Sequence, residues 1–383
     1  MTNRLQRLLL AARDAGSAGH VAAMAANFAS HEIESLIVAE GAAHSYLESR
    51  SVPHMTSDSW LSGIKPGDRS MDIVAAAGEK LAQFGACAVV CGRSPVQEEG
   101  IDRIAISAAR MWKIPSFVIQ DFWGDVWPED YRPDHYLVID ELAAHLTRNK
   151  TSADVHVIGS PKHAHYEYID FHSLRRTGRA FLELGADASL VGFFGQDLLW
   201  VPGYRQVLRD IGETVKHMHG VELFYKPHPR ETPTSQLQSM AILEESGVHP
   251  IIVPNFTVEE AIASADVVLS CFSTVALDAA FMMRCDTEAN VSIVCSDYPG
   301  DVSSCWRPAT GLDEFPLVSK NLALSASDRA SLEDTLRVGL LPEEKMRQAA
   351  ASRLILGSPR KSIDCASELI TRMIMLSARK CGN

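Results

Sequence analysis

Basic blocks are missing from this chain. Lys and Arg number 36 against 48 Asp and Glu, and 36 − 48 leaves a net charge of −12. A surface of that sign cannot hold a polyanion by counterion release, so nucleic acid is not expected as a partner. A small phosphate-bearing ligand, which needs only a local pocket, stays open. No run approaches the ~20 apolar residues of a membrane helix, so no membrane span is expected. Leu8-Leu9-Leu10-Ala11-Ala12 follows Arg4 and Arg7 but is cut off by Arg13 and Asp14, too early for a signal peptide. Cysteine is sparse, with eight in 383 residues and no C-x-x-C pair. Cys87 and Cys91 read as free buried thiols, and a reducing cytoplasmic compartment is expected. A full G-x-G-x-x-G and a ribose-binding acid after the second strand are both missing, which disfavours a nicotinamide dinucleotide fold. The missing G-x-S-x-G elbow argues against an α/β hydrolase. His163/His165 and His217/His219 have no Cys or carboxylate at metal-site spacing, so no metal and no cofactor are expected.

What is present is alternation. Hydrophobic residues make up 46% and charged residues 22%, the balance of a globular chain, and the length suits two to three domains. The apolar run from Arg7, the glycine loop Gly16-Ser17-Ala18-Gly19-His20, a helix over Val21–Ser30 and a strand over Glu34–Ala39 make a βαβ unit. Strands follow at Ala86–Cys91, Ser116–Gln120, His135–Ile139 and Val155–Ile158, with helices at Ile101–Met111 and Glu141–Arg148. Ser51–Asp72 is broken by Pro53, Gly63, Pro66 and Gly67 and is left unassigned. The charged stretch Phe171–Asp187 reads as the domain boundary, near residue 185. A second alternating series begins at Ser189–Phe194. It continues with strands at Val221–Tyr225, Pro250–Val253, Asp266–Leu269 and Val291–Val294. Helices are expected over Tyr204–Met218, Ser235–Ser246, Val258–Ala263 and Thr274–Met283. Thr257 and Glu260 form a capping box at one helix start, and the tail from Glu343 to Arg379 reads as helix. The pattern predicts two α/β domains with Rossmann-like parallel sheets facing a cleft, residues 1–185 and 186–383. In such sheets ligands sit beyond the carboxyl ends of the strands.

Four constellations fall in strand-to-helix loops. Lys226-Pro227-His228-Pro229-Arg230 follows a strand; its prolines remove backbone donors, leaving three potential cations suited to a phosphate or diphosphate. Ser270-Cys271-Phe272-Ser273-Thr274 precedes a helix, where hydroxyls and free N–H groups favour an anion, although Ser273 could also cap the helix. Asp278, one turn in, could meet a ribose hydroxyl or face solvent. Gly16 and Gly19 let backbone approach a ligand, with His20 a candidate general base or a packed histidine. Asp121-Phe122-Trp123-Gly124-Asp125 sets carboxylates beside aromatics, suited to a sugar hydroxyl or to a base of raised pKa. Glu98-Glu99-Gly100 supplies a further carboxylate candidate, or a solvated turn.

These motifs resemble those of GT-B-type proteins, the two-Rossmann-domain architecture of many nucleotide-sugar enzymes, over most of residues 5–300. Gly16-Ser-Ala-Gly-His20 resembles the amino-terminal glycine loop of that group. Val157-Ile-Gly-Ser-Pro161 is similar to the V-x-G-x-P stretch of UDP-N-acetylglucosamine 2-epimerases. Lys226-Pro-His-Pro229 and Ser273-Thr274 resemble the HP and S-S/T motifs of bacterial sialyltransferases and Kdo transferases, and Glu98-Glu99-Gly100 their acidic D/E-D/E-G motif. The stretch from Asp266 to Asp278 is similar to one in CDP-glycerol glycerophosphotransferases.

The resemblance implies a nucleotide-sugar donor on the second domain, with Lys226, His228, Arg230, Ser273, Thr274 and Asp278 around its nucleotide and phosphates. A small-molecule or glycan acceptor would lie on the first domain. His20, Glu99 or Asp121 would take the acceptor proton. It implies a glycosyltransferase needing no metal. A nucleotide-sugar 2-epimerase or hydrolase and a non-catalytic nucleotide-sugar-binding protein are the alternatives.

Overall fold

A computed structural model of the chain describes residues 6–62, 70–94, 99–184, 188–253 and 255–381. Arg4, Gly63, Pro66, Gly67 and Glu98 lie outside these ranges, as does the 185–187 stretch expected to mark the domain boundary. The chain divides into two compact units, residues 1–165 with 358–383 and residues 166–357.

Unit 1 begins with β1 (Arg7–Ala12), α1 (Ala15–Ser30), β2 (Glu34–Ala39), α2 (Ala42–Ser49), β3 (Met55–Thr56), α3 (Ser57–Trp60) and α4 (Ser70–Phe84). It continues through β4 (Ala88–Gly92), α5 (Ile101–Trp112), β5 (Ser116–Ile119), β6 (His135–Val138), α6 (Glu141–Arg148) and β7 (Asp154–Val157). The strands order as β3-β2-β1-β4-β5-β6-β7, all parallel. Leu8 to Ala12 are fully buried in succession. A central strand covered by helices on both faces needs this continuous apolar run, not an alternating one.

Unit 2 opens with α7 (Phe171–Phe181), β8 (Ser189–Phe194), α8 (Pro202–His217), β9 (Val221–Lys226), α9 (Pro233–Glu245), β10 (Ile251–Ile252), α10 (Val258–Ser264) and β11 (Val267–Ser270). It closes with α11 (Val275–Cys285), β12 (Ser292–Ser296), α12 (Arg307–Thr310), α13 (Pro316–Ser319), β13 (Leu324–Ala326), α14 (Arg329–Leu340) and α15 (Pro342–Ile355). Its sheet runs β10-β9-β8-β11-β12-β13, again all parallel. Each sheet reverses its winding direction once, between β1 and β4 and between β8 and β11. Those reversals are where such sheets leave a crevice for ligands.

Two expectations about domain limits need correction. The described part of Phe171–Asp187 is mostly helix α7, and two of its arginines turn inward. Arg175 Nη2 and Lys345 Nζ reach Asp266 Oδ1 at 2.6 and 2.9 Å, and Arg179 Nη1 reaches Oδ2 at 3.1 Å. Burial alone would raise the Asp266 carboxyl; Lys345 and Arg175 hold it below its ordinary value. This cluster fastens α7 to unit 2, so the division falls near residue 165 instead of 185. The helical tail also divides. α15 stays with unit 2, whereas α16 (Pro359–Cys381) belongs to unit 1. Ala366, Leu369, Ile370 and Ile374 join Val21, Met24 and Phe28 of α1 in one buried cluster, and Ser367 Oγ donates to Asn27 Oδ1 at 2.6 Å.

Ile370 is fully buried in that cluster. Ile370→Ala is expected to destabilise unit 1 by about 2–5 kcal/mol in urea denaturation, because a cavity adds to the lost transfer energy. A change within ~0.5 kcal/mol would contradict this placement of α16.

Candidate functional site

In unit 2 the site is built on the loop after β9. Pro227 ends the strand's hydrogen bonding, and only three backbone N–H groups remain among the next four residues. His228 N–H donates to Glu231 Oε1 at 2.8 Å, Arg230 N–H to His228 Nδ1 at 3.1 Å, and Glu231 N–H to the His228 carbonyl at 2.9 Å. The loop therefore satisfies its own backbone. Glu231 is its staple: the carboxyl is buried and also accepts from Tyr225 Oη at 2.5 Å. Burial raises its pKa, while the Tyr225 and His228 hydrogen bonds pull the other way. Gly195, just past β8, makes room for it, since a Cβ there would stand 2.6 Å from Glu231 Oε1 and 2.7 Å from Tyr225 Oη.

One of the three expected cations is corrected, and a second is drawn into the loop. Burial, helped by Arg230, lowers His228 to about 4, so the ring is neutral near pH 7. Because Nδ1 accepts from Arg230, the neutral ring carries its proton on Nε2. Among the described residues nothing accepts from that N–H. Lys226 Nζ donates to the Phe256 carbonyl at 2.5 Å and braces the loop. Burial lowers this ammonium to about 8, against the opposing pull of Glu260 and Glu259. Arg230 is exposed.

β11 ends at Ser270 on the other side of β8. Gln196, in the β8 loop, accepts the Phe272 N–H on Oε1 at 3.2 Å and donates its own N–H to Tyr204 Oη at 2.9 Å. Ser273 Oγ accepts from Val275 N–H at 3.2 Å, inside the first turn of α11. Among the described residues, the N–H groups of Ser273 and Thr274 have no acceptor. Asp278 is buried, which removes the solvent-facing alternative. The structure thus brings His228, Ser273 and Thr274 to one edge of one sheet, on loops separated only by β8. Uncharged donors at a helix start can hold an anion without a counter-cation.

In unit 1 the glycine loop is corrected to helix. Asp14 caps α1: its Oδ1 accepts Ser17 N–H at 2.7 Å while Ser17 Oγ accepts Asp14 N–H at 3.2 Å. This capping box starts the helix at Ala15, so Gly16 to His20 lie within it. A Cβ at Gly16 would overlap Asp121 Oδ2. Glycine therefore lets a half-buried carboxylate rest on the first turn of α1, where the helix dipole favours negative charge. His20 has no exposed surface. Glu99 is exposed and lines a groove of 410 Å³ with Met71, Arg110 and Tyr131, and its charge helps burial raise the Tyr131 phenol. The three expected catalytic groups are thus differently placed: Asp121 on the α1 terminus, His20 inside, Glu99 on the α4–α5 face.

No protein-family model and no curated protein sequence matches the chain. Solved structures do. UDP-GlcNAc 2-epimerase from Neisseria meningitidis, bound to UDP-GlcNAc, is similar with a TM-score of 0.64 at 14% identity, over 97% of this chain and all of that one (100%). A glycosyltransferase from Rickettsia africae gives 0.65 at 10% identity, over 97% and 99% of the two chains. MurG from Acinetobacter baumannii gives 0.58 at 13%, over 94% and 98%. The fold is GT-B. Identities this low establish the architecture, as the motifs implied.

Within the first unit of this GT-B chain lies a carboxyl that sequence reasoning passed over. Asp102 looks like an ordinary first-turn acid of α5, yet it is 1% exposed, and its Oδ2 has no hydrogen-bond partner. Burial pushes it up to about 6, with Asp14 adding to the rise and Arg103 N–H and Arg13 opposing it. Arg93, paired with Asp125 at 2.5 Å beyond β4 and β5, was missed likewise. The folded state keeps the Asp102 proton to about pH 6, the unfolded chain only to about pH 4. Ionisation therefore destabilises the fold as pH rises through this window. Asp102→Asn is expected to gain stability over wild type between pH 4 and 6, reaching about 2–3 kcal/mol at pH 7. A difference independent of pH in denaturation curves would contradict the assignment.

Proposed function

We propose that this chain is a glycosyltransferase acting on a nucleotide-activated sugar, with the donor's diphosphate at the carboxyl edge of the unit 2 sheet. The observation that carries the proposal is the Nε2–H of a neutral His228, without an acceptor among the described residues, on the same edge as the unpartnered N–H groups of Ser273 and Thr274. Known structures with this fold, including one bound to UDP-GlcNAc, support the ligand class.

In sugar transfer the bond from the anomeric carbon to the phosphate oxygen breaks, and its electron pair leaves with the diphosphate. Donors fixed beforehand stabilise that growing charge more than they stabilise the ground state, which lowers the barrier. His228, the start of α11 and the exposed Arg230 are suited to this role, with Lys226 holding the loop. The acceptor oxygen forms the new bond and gives up its proton. Asp121, half-buried at the carboxyl edge of the unit 1 sheet, is the base this chain offers. The 2-epimerase reading keeps the same nucleotide site and needs acid and base groups instead of an acceptor. The similarity to the Neisseria enzyme over nearly the whole chain favours it as the second reading.

A thermal-shift panel of UDP, CDP and GDP, each with its sugars, tests the ligand class. One of them, at ~100 times its dissociation constant, is expected to add ~2.7 kcal/mol of stability. His228→Ala is expected to weaken that nucleotide roughly 10–100-fold, the value of a hydrogen bond to a charged group. No shift with any nucleotide diphosphate would overturn the proposal. Product analysis then separates the activities. Nucleotide release that depends on an acceptor supports transfer; an altered sugar formed from the donor alone supports epimerisation and contradicts transfer.

A further inference from the structure

The opposite, amino-terminal edge of the unit 1 sheet carries chemistry that the proposed reaction does not use. β6 opens with His135 and β7 with Asp154, and the strand register pairs them directly. His156, two residues along β7, lies on the same face as Asp154 because side chains alternate. His135 Nδ1 consequently stands 3.3 Å from His156 Nε2 and 3.6 Å from Asp154 Oδ2. One ligand atom from each of the three residues lies within 4.8 Å of the others.

Tetrahedral zinc, with bonds of ~2.0–2.1 Å, separates its ligand atoms by about 3.3–3.4 Å. The two spacings from His135 Nδ1 lie close to that edge length. We propose that His135, Asp154 and His156 form a binding site for a divalent transition cation of the zinc class, with its fourth position open to water.

Several features favour the metal over a simple pair of hydrogen-bonded rings. The side chain of Asp154 is 72% exposed, so an ion can reach the three groups from solvent. His135 is stacked on Phe117 at 4.8 Å and 23°, which fixes its ring plane before any ion arrives. Two imidazoles and one carboxylate select zinc-like ions over magnesium or calcium, which prefer all-oxygen shells. Arg148, Arg372 and Asp154 act on His156, and Asp134 with Asp154 on His135, so the local charge is mixed. β7 is the edge strand, and an ion here would clip it to β6.

Cobalt(II) titration of the chelator-treated full chain tests the site. One Co²⁺ per chain is expected, with the visible absorption bands of tetrahedral coordination, displaced by Zn²⁺. His135→Gln with His156→Gln should abolish the bands. Asp154→Asn leaves the Phe117 stack in place and so retains its value if the double variant misfolds; it should weaken Co²⁺ by about tenfold or more. His217→Gln with His219→Gln, in unit 2, should leave the titration unchanged. The inference is overturned if wild type shows no tetrahedral bands, or if the Asp154→Asn and double variants bind Co²⁺ as wild type does.

Discussion

Glu231 must accept from both the Tyr225 hydroxyl and the His228 N–H before the loop after β9 can hold any one shape. Tyr225 lies in the β9 strand, anchored in the unit 2 core, so the carboxyl transmits the position of the sheet to the loop. With the His228 amide fixed, Arg230 N–H can close onto the ring's Nδ1, and the imidazole is left with its proton on Nε2. Charge-assisted hydrogen bonds to a buried carboxyl are strong and directional. A loop held in this way loses little entropy when it binds, which is the condition for donors to act on a developing charge without reorganising.

Each sheet has two chemically different ends. The carboxyl ends gather helix starts and their unpaired N–H groups, which favour anions. In unit 1 the same dipole logic is met internally, with Asp14 and Asp121 on the first turn of α1. In unit 2 Ser273 and Thr274 lead into α11, whose first turn holds Asp278, and the N–H groups of Ser273 and Thr274 have no acceptor among the described residues. The amino end of the unit 1 sheet, by contrast, gathers imidazoles and an acid through strand register alone. The two proposed sites thus place anion and cation chemistry at opposite ends of the strands.

Most of the sheet architecture was legible in the sequence, because parallel strands buried on both faces leave unbroken apolar runs such as Leu8 to Ala12 or Ser189 to Phe194. Elements whose polar residues turn inward were not legible. α7 looks like a solvated linker until Arg175, Arg179 and Lys345 are seen to converge on Asp266. The start of α1 was hidden by glycines that disfavour helix, with the Asp14–Ser17 capping box outweighing them. The position of the His228 loop was readable from its prolines, but the neutral state of the ring was not, since it follows from burial and a backbone contact. Asp102 and Glu231 could not be told from surface acids by type or spacing; only tertiary burial distinguishes them. His135 and His156 sit 21 residues apart and meet only through the pairing of β6 with β7.

The proposed nucleotide site requires that His228 present a neutral Nε2–H to the diphosphate. Nitrogen NMR of the ¹⁵N-histidine-labelled chain, recorded across about pH 5.5 to 8 with and without the nucleotide diphosphate sugar that binds, reads this directly. An unprotonated Nδ1 and a protonated Nε2 are expected throughout, with Nε2 shifting on ligand addition. An imidazolium at the acidic end of that range, or a His228 signal indifferent to the ligand, would contradict that requirement.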